Sequence, residues 1–110
     1  MTFKIKRNDT SPAIVGTAVR KIDNSIVNLS GATVRFHMGR IGDTRIVDAA
    51  ATLLTDGTDG KMKYSWQAAD TLSVGNYKAE FEVTFADLTI ETFPNGGYID
   101  VLITPDLGND

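Results

Sequence analysis

Few side chains in this sequence have the type and spacing for chemistry. His37 is the sole histidine, so any Ser/His/Asp arrangement would have to use it. No serine stands in a G-x-S-x-G elbow. Nucleophilic catalysis needs a nucleophile, a base and an orienting group together. His37 stands alone between Phe36 and Met38, and the alternation around it predicts an outward-facing residue on a strand surface. Glu80 and Glu82 are two apart on one predicted strand, so both lie on its outer face. The two carboxylates of a glycoside hydrolase must flank a cleft, about 5–10 Å apart. Neighbours on an open sheet face make no such cleft, and with Lys78 they read as a solvated face.

The loop Asp56-Gly57-Thr58-Asp59-Gly60 resembles a calcium loop only superficially. The D-x-[DN]-x-[DN]-G spacing and the following bidentate Glu are missing, which leaves a hairpin turn. No G-x-G-x-x-G or G-K-[ST] phosphate loop occurs. The chain has no cysteine, which excludes disulfides and thiolate metal sites. Lys4, Lys6 and Arg7 form a basic cluster that suits an acidic partner surface or guards an edge strand. The reading is therefore no catalytic, cofactor-binding or metal-binding residue, no cofactor and no enzyme.

The elements around these residues are strands. Tyr77 to Phe85, Y-K-A-E-F-E-V-T-F, alternates apolar and polar side chains over nine residues. Such a period of two is the mark of a half-buried strand. Tyr77, Ala79, Phe81, Val83 and Phe85 form its core face, and Gly75-Asn76 supplies the turn before it. Phe3 and Ile5 alternate with lysines in a short first strand, and Asn8 to Pro12 breaks pairing. Ala13 to Arg20 reads as a second strand of ambiguous facing, with Gly16 at a bulge or a close backbone approach. Ile26, Val27 and Leu29 fit a short edge strand or an extended connection.

Val34, Phe36 and Met38 point one way on the next strand, and Thr33, Arg35 and His37 the other. Arg45 to Leu54 has helix propensity in its alanines, but its alternation and its neighbours favour a strand. Met62, Tyr64 and Trp66 face inward beyond the two Asp-Gly pairs. Ala68 to Leu72 offers about one helical or 3₁₀ turn. Leu88 to Phe93 returns as a hairpin partner of the 77–85 strand. Tyr98 to Ile103 is the last strand, with Ile99, Val101 and Ile103 inward. Leu54, Leu88 or Ile90, and Leu102 fall on outward faces and would together make a partner patch, unless another sheet covers that face.

These seven or eight short strands, with turn signals roughly every 8–12 residues, favour an all-β immunoglobulin-like antiparallel β-sandwich. Trp66 faces its presumed core. Tyr77 is either a tyrosine corner, whose phenol bonds back to upstream backbone, or a plain half-buried strand aromatic. A chain of 110 residues suits one domain, here 1–104, followed by a polar tail 105–110. The formal net charge of −3 argues against generic nucleic-acid binding. The start M-T-F-K-I-K-R lacks the apolar run of a signal peptide. No stretch approaches the ~20 apolar residues of a membrane span.

The succession F-K-I-K-R-N-D-T-S-P, G-A-T-V-R-F-H-M, Y-S-W, G-N-Y-K-A-E-F-E-V-T-F-A-D and T-F-P-N-G-G-Y carries a resemblance. It is similar to the immunoglobulin-like N-terminal domain of the phage baseplate upper protein and to small virion proteins built from that domain. The similarity runs from Phe3 to about Leu107, and no motif within it is chemical. It implies a non-enzymatic virion structural protein, made in the host cytoplasm, that assembles into the tail, baseplate or particle surface. The implied partners are other virion proteins and further copies in a homo-oligomer, with no nucleic acid and no membrane. The chain stops at Asp110, which leaves baseplate, tail and head open. The alternatives are a capsid decoration protein, or a carbohydrate or host-surface module using Tyr64, Trp66 and Tyr98 as stacking platforms.

Overall fold

A computed structural model describes residues 2–107. Ten strands follow one another: β1 Thr2–Lys6, β2 Ile14–Thr17, β3 Val19–Arg20, β4 Ser25–Ile26 and β5 Thr33–Gly39, then β6 Val47–Leu53, β7 Lys61–Tyr64, β8 Gly75–Thr84, β9 Ile90–Phe93 and β10 Ile99–Thr104. The main sheet runs β1-β10-β8-β5-β6-β7-β2, and β9 extends β10's side of β8. A two-stranded sheet pairs β3 with β4. The fold is all-β, as the alternation predicted.

β8 is the hub. It pairs with β5 along one edge, and with β10 and then β9 along the other. Its alternation places Tyr77, Ala79, Phe81 and Val83 in the core. The sheet turns over at β6, which pairs with β5 along its length and with β7 only at Thr52 and Leu53. That turn brings β7 and β2 across from β5 and β8. Phe36 of β5 stacks on Tyr64 of β7 with ring centroids 4.6 Å apart. Trp66 meets Phe36 edge-on at 5.6 Å, and Phe81 closes on the far side of Phe36 at 5.1 Å.

Tyr77 is a corner residue: its hydroxyl donates to the Ser73 carbonyl at 2.7 Å. Arg40 lies over the same ring, 4.7 Å from its centroid. Tyr77→Phe removes that donor and leaves a carbonyl unpaired, so a loss of about 1 kcal/mol is expected in urea unfolding. An unchanged midpoint would show that the bond contributes nothing net.

Several sequence expectations need correction. The sheet is mixed, because β1 pairs parallel to β10, Phe3 opposite Val101. The strand expected over 13–20 breaks at Ala18, whose N–H turns to Gly60 and whose carbonyl takes the Val27 N–H. Burial of Ile14 and Ala18 resolves the facing of that segment. Gly16 is a close approach: a Cβ there would lie 2.8 Å from Phe81 Cε2. Ala68 to Leu72 holds the single turn expected there: the Asp70 N–H donates to the Gln67 carbonyl three residues back at 3.0 Å, and the Asp70 carboxylate takes the Gln67 N–H and the Tyr64 hydroxyl. Burial, then Asp70, pushes the Tyr64 phenol well above its ordinary pKa. The corrections for His37 and for the apolar patch follow below. Of the expected tail, residues 108–110 lie outside the described residues, and Asp106 is ion-paired to Arg7 at 3.0 Å.

Candidate functional site

Alternation along β5 sends Arg35 and His37 to the outer face of the sheet. The register sets His37 opposite Asp48 on β6 and Glu80 on β8. Nε2 of His37 lies 3.2 Å from Asp48 Oδ1, and Nδ1 lies 3.7 Å from Glu80 Oε2. Arg35 Nε and Arg45 Nη1 also donate to Asp48, at 3.0 and 3.2 Å. The Arg35 guanidinium, above all, holds the Asp48 carboxyl below the usual carboxylate range.

The segment after Gly39 then folds back, and the Ile46 N–H reaches the Met38 carbonyl at 2.8 Å. It runs so close that a Cβ on Gly39 would meet Arg45 Cα at 3.1 Å. His37 is left only 5% exposed. The expectation of a surface histidine fails because this loop covers the outer face. A cleft of about 170 Å³ remains beside it, lined among others by Arg40, Asp43, Lys78 and Tyr98.

Both polar neighbours of His37 are carboxylates, so no nucleophile stands ready for it to activate. The cluster ties β5 to β6 through Asp48, while His37 Nδ1 has no hydrogen-bond partner among the described residues and faces Glu80 of β8 at 3.7 Å. Among the described residues, no three His, Cys, Asp or Glu side chains converge as metal ligands. Glu80 and Glu82 share the outer face as expected, but both are half-buried. Lys78 pairs with Asp100 across to β10.

The Asp56 loop is a turn, as its spacing implied. Asp56 Oδ1 accepts the Thr58 N–H at 3.0 Å and its hydroxyl at 2.7 Å. The same device recurs at Asp23 with Ser25 and at Asp87 with Thr89. Hydroxyl donation, foremost, lowers the pKa of all three aspartates. Arg20 does the same for Glu91 through a guanidinium contact at 2.9 Å. These groups ionise more readily folded than unfolded. Their stabilisation is present above the unfolded value near 4 and is lost as pH falls through the lower folded values. The melting temperature should therefore drop steadily below about pH 4. A flat profile from about pH 6 to pH 2 would refute this linkage.

The apolar positions expected to form one patch are dispersed. Leu54 follows β6, whereas Leu88 and Ile90 lie at the β8–β9 turn and Leu102 is half-buried on β10. Ile90 shares a hollow with Ile26 of β4 instead, a neighbour that no local pattern announced. Lys4 and Lys6 are exposed on β1. A second depression, about 440 Å³, lies along the seam between β2 and the β1, β9 and β10 side. Its walls include Phe3, Ile14, Val15, Met62, Phe93 and Ile99. The exposed apolar surface is thus a set of separate patches around a closed aromatic core.

A family model described as the BppU N-terminal domain matches residues 2–93. The chain belongs to this family of phage baseplate upper protein N-terminal domains. Membership relates it to a structural baseplate protein and to interaction with other virion proteins. No curated protein sequence matches it significantly. Among solved structures it is similar to CopC from Methylosinus trichosporium OB3b, with 13% identity and a TM-score of 0.54. That similarity covers 99% of this chain and 89% of the other, and speaks to the fold alone. In this BppU N-terminal domain the match takes in β1 to β9, hence the aromatic core and the whole His37 cluster.

Proposed function

We propose that this chain is a non-enzymatic structural module of a phage particle, built into the tail, baseplate or particle surface by protein–protein contacts with other virion proteins and with further copies of itself. The observation that carries the reading is the family match over residues 2–93. The chemistry of the outer face supports it, since the two acidic groups that face His37, Asp48 at 3.2 Å and Glu80 at 3.7 Å, are carboxylates and not nucleophiles that it could activate. Mass spectrometry of purified particles, with light scattering on the purified protein, tests it. The chain should co-purify with particles and self-associate. A strict monomer absent from particles would sink the reading.

Glycan binding by stacked aromatics is disfavoured. Trp66 and Tyr64 are each 3% exposed, which leaves Tyr98 without a companion platform. Iodide should therefore quench the fluorescence of Trp66 only weakly in the folded protein. Strong quenching would put the indole at the surface and revive the glycan reading.

A further inference from the structure

The main sheet does not close on itself. Its two end strands, β1 and β2, each have one hydrogen-bonded neighbour, β10 and β7. The apolar depression lies between them, with Thr2, Lys4, Val15 and Thr17 all on its walls. Backbone direction alternates along a strand. The Ala18 N–H bonds toward Gly60, in line with the β2–β7 register, so the N–H and C=O groups of Val15 and Thr17 point away from β7. On β1 the Arg7 N–H bonds to the Thr104 carbonyl of the β10 side, so those of Lys4 point away from β10, while the Lys6 carbonyl, pointing the same way, is taken by the Asp9 N–H. The backbone groups of Val15 and Thr17 on β2 thus border one apolar trough, with those of Lys4 on its other side.

The side chains around the trough have one sign. Lys4 is the charged residue of its lining. Lys6 follows on β1, and Lys63 and Lys61 stand opposite Val15 and Thr17. Asp100, opposite Thr2, is already paired with Lys78. A free strand edge accepts an extended peptide through main-chain hydrogen bonds, with pockets receiving alternate side chains. Unmatched lysines along such an edge favour carboxylates on the incoming strand.

We propose that an extended segment of a neighbouring virion protein adds as a strand to β2 in this trough. Its apolar side chains turn inward over Phe3, Met62 and Phe93. Its acidic side chains turn outward to Lys4, Lys61 and Lys63. The proposal rests on the structural-protein reading above and names the surface and the partner chemistry for it.

The absence of cysteine from this chain allows a direct test. Val15 is 48% exposed, so Val15→Cys puts one thiol at the trough without disturbing the core. Thr17→Cys, exposed on the same strand, gives the same readout should the first variant misfold. Maleimide labelling should be fast in the purified protein and at least tenfold slower within assembled particles. A photo-crosslinking residue at position 15 should join the particle neighbour within a segment of alternating apolar and acidic residues.

Equal labelling in both states overturns the proposal. So does a crosslink to a second copy of this chain, or to a basic or non-alternating segment. Absence of the chain from purified particles is seen first, by mass spectrometry, and defeats the functional reading rather than the geometry of the trough.

Discussion

Phe36→Ala should cost about 3–5 kcal/mol, the usual range for truncating a fully buried aromatic side chain. Phe36 has no exposed surface, and its ring touches those of Tyr64, Trp66 and Phe81. These three rings are drawn from both layers of the core. Its loss strips partners from β7 and β8 at once and leaves a cavity that a sheet cannot collapse to fill. Set against a typical domain stability of about 5–15 kcal/mol, the variant should be marginal or unfolded at 37 °C. Urea unfolding followed by Trp66 fluorescence measures it. A loss under about 1.5 kcal/mol would mean that the core repacks and that no single ring holds it.

The second large effect is expected at the 55–60 hairpin. Gly57 and Gly60 have φ of +95° and +69°, in the left-handed region. A Cβ on Gly57 would also lie 2.9 Å from Ser30 N, and one on Gly60 2.9 Å from the Val27 carbonyl oxygen. Those contacts exist because the 27–30 segment lies directly on the hairpin. The Leu29 N–H donates to the Gly57 carbonyl at 2.8 Å, and the Ala18 N–H to that of Gly60 at 2.7 Å. Alanine at either position combines a backbone cost of about 1–2 kcal/mol with an overpacking cost of about 1–3 kcal/mol. Gly42 separates the two contributions, since its φ is +87° and nothing stands within 4 Å of its Cβ site. Gly42→Ala should show the backbone cost alone. If all three variants lose the same stability, the close packing at 57 and 60 has no energetic weight.

How far the sequence reveals this fold depends on how local each determinant is. β8 was legible residue by residue, because one buried face writes a period of two into nine positions. The same holds for Val34, Phe36 and Met38, and for Met62, Tyr64 and Trp66, all of which are buried. The tyrosine corner could be suspected from Gly75-Asn76-Tyr77 but not decided, since its acceptor is a backbone carbonyl four residues back. The parallel pairing of Phe3 with Val101 leaves no local trace.

His37 departs from its sequence expectation for a related reason. Alternation correctly put it on the outer face, but cannot say that the loop after Gly39 returns to cover that face. Its carboxylate partners come from two other strands, and only the register brings them together. The trough beside β2 was equally hidden. Ala13 to Arg20 looked ambiguous because Val15, an apolar residue, faces outward there.

The pairing of β1 with β10 also sets a timetable for synthesis. β1 leaves the ribosome almost a full domain length before the strand it must join. Until β10 emerges, β1 has no strand to pair with, and Gly75 to Ala79 of β8 lack a neighbour on one side. Contacts of such long range form slowly, and unpaired strands in a nascent chain invite association with other chains. The lysines of β1 protect it during this interval. Native protection of β1 should therefore appear in one late step, only once Thr104 has cleared the exit tunnel.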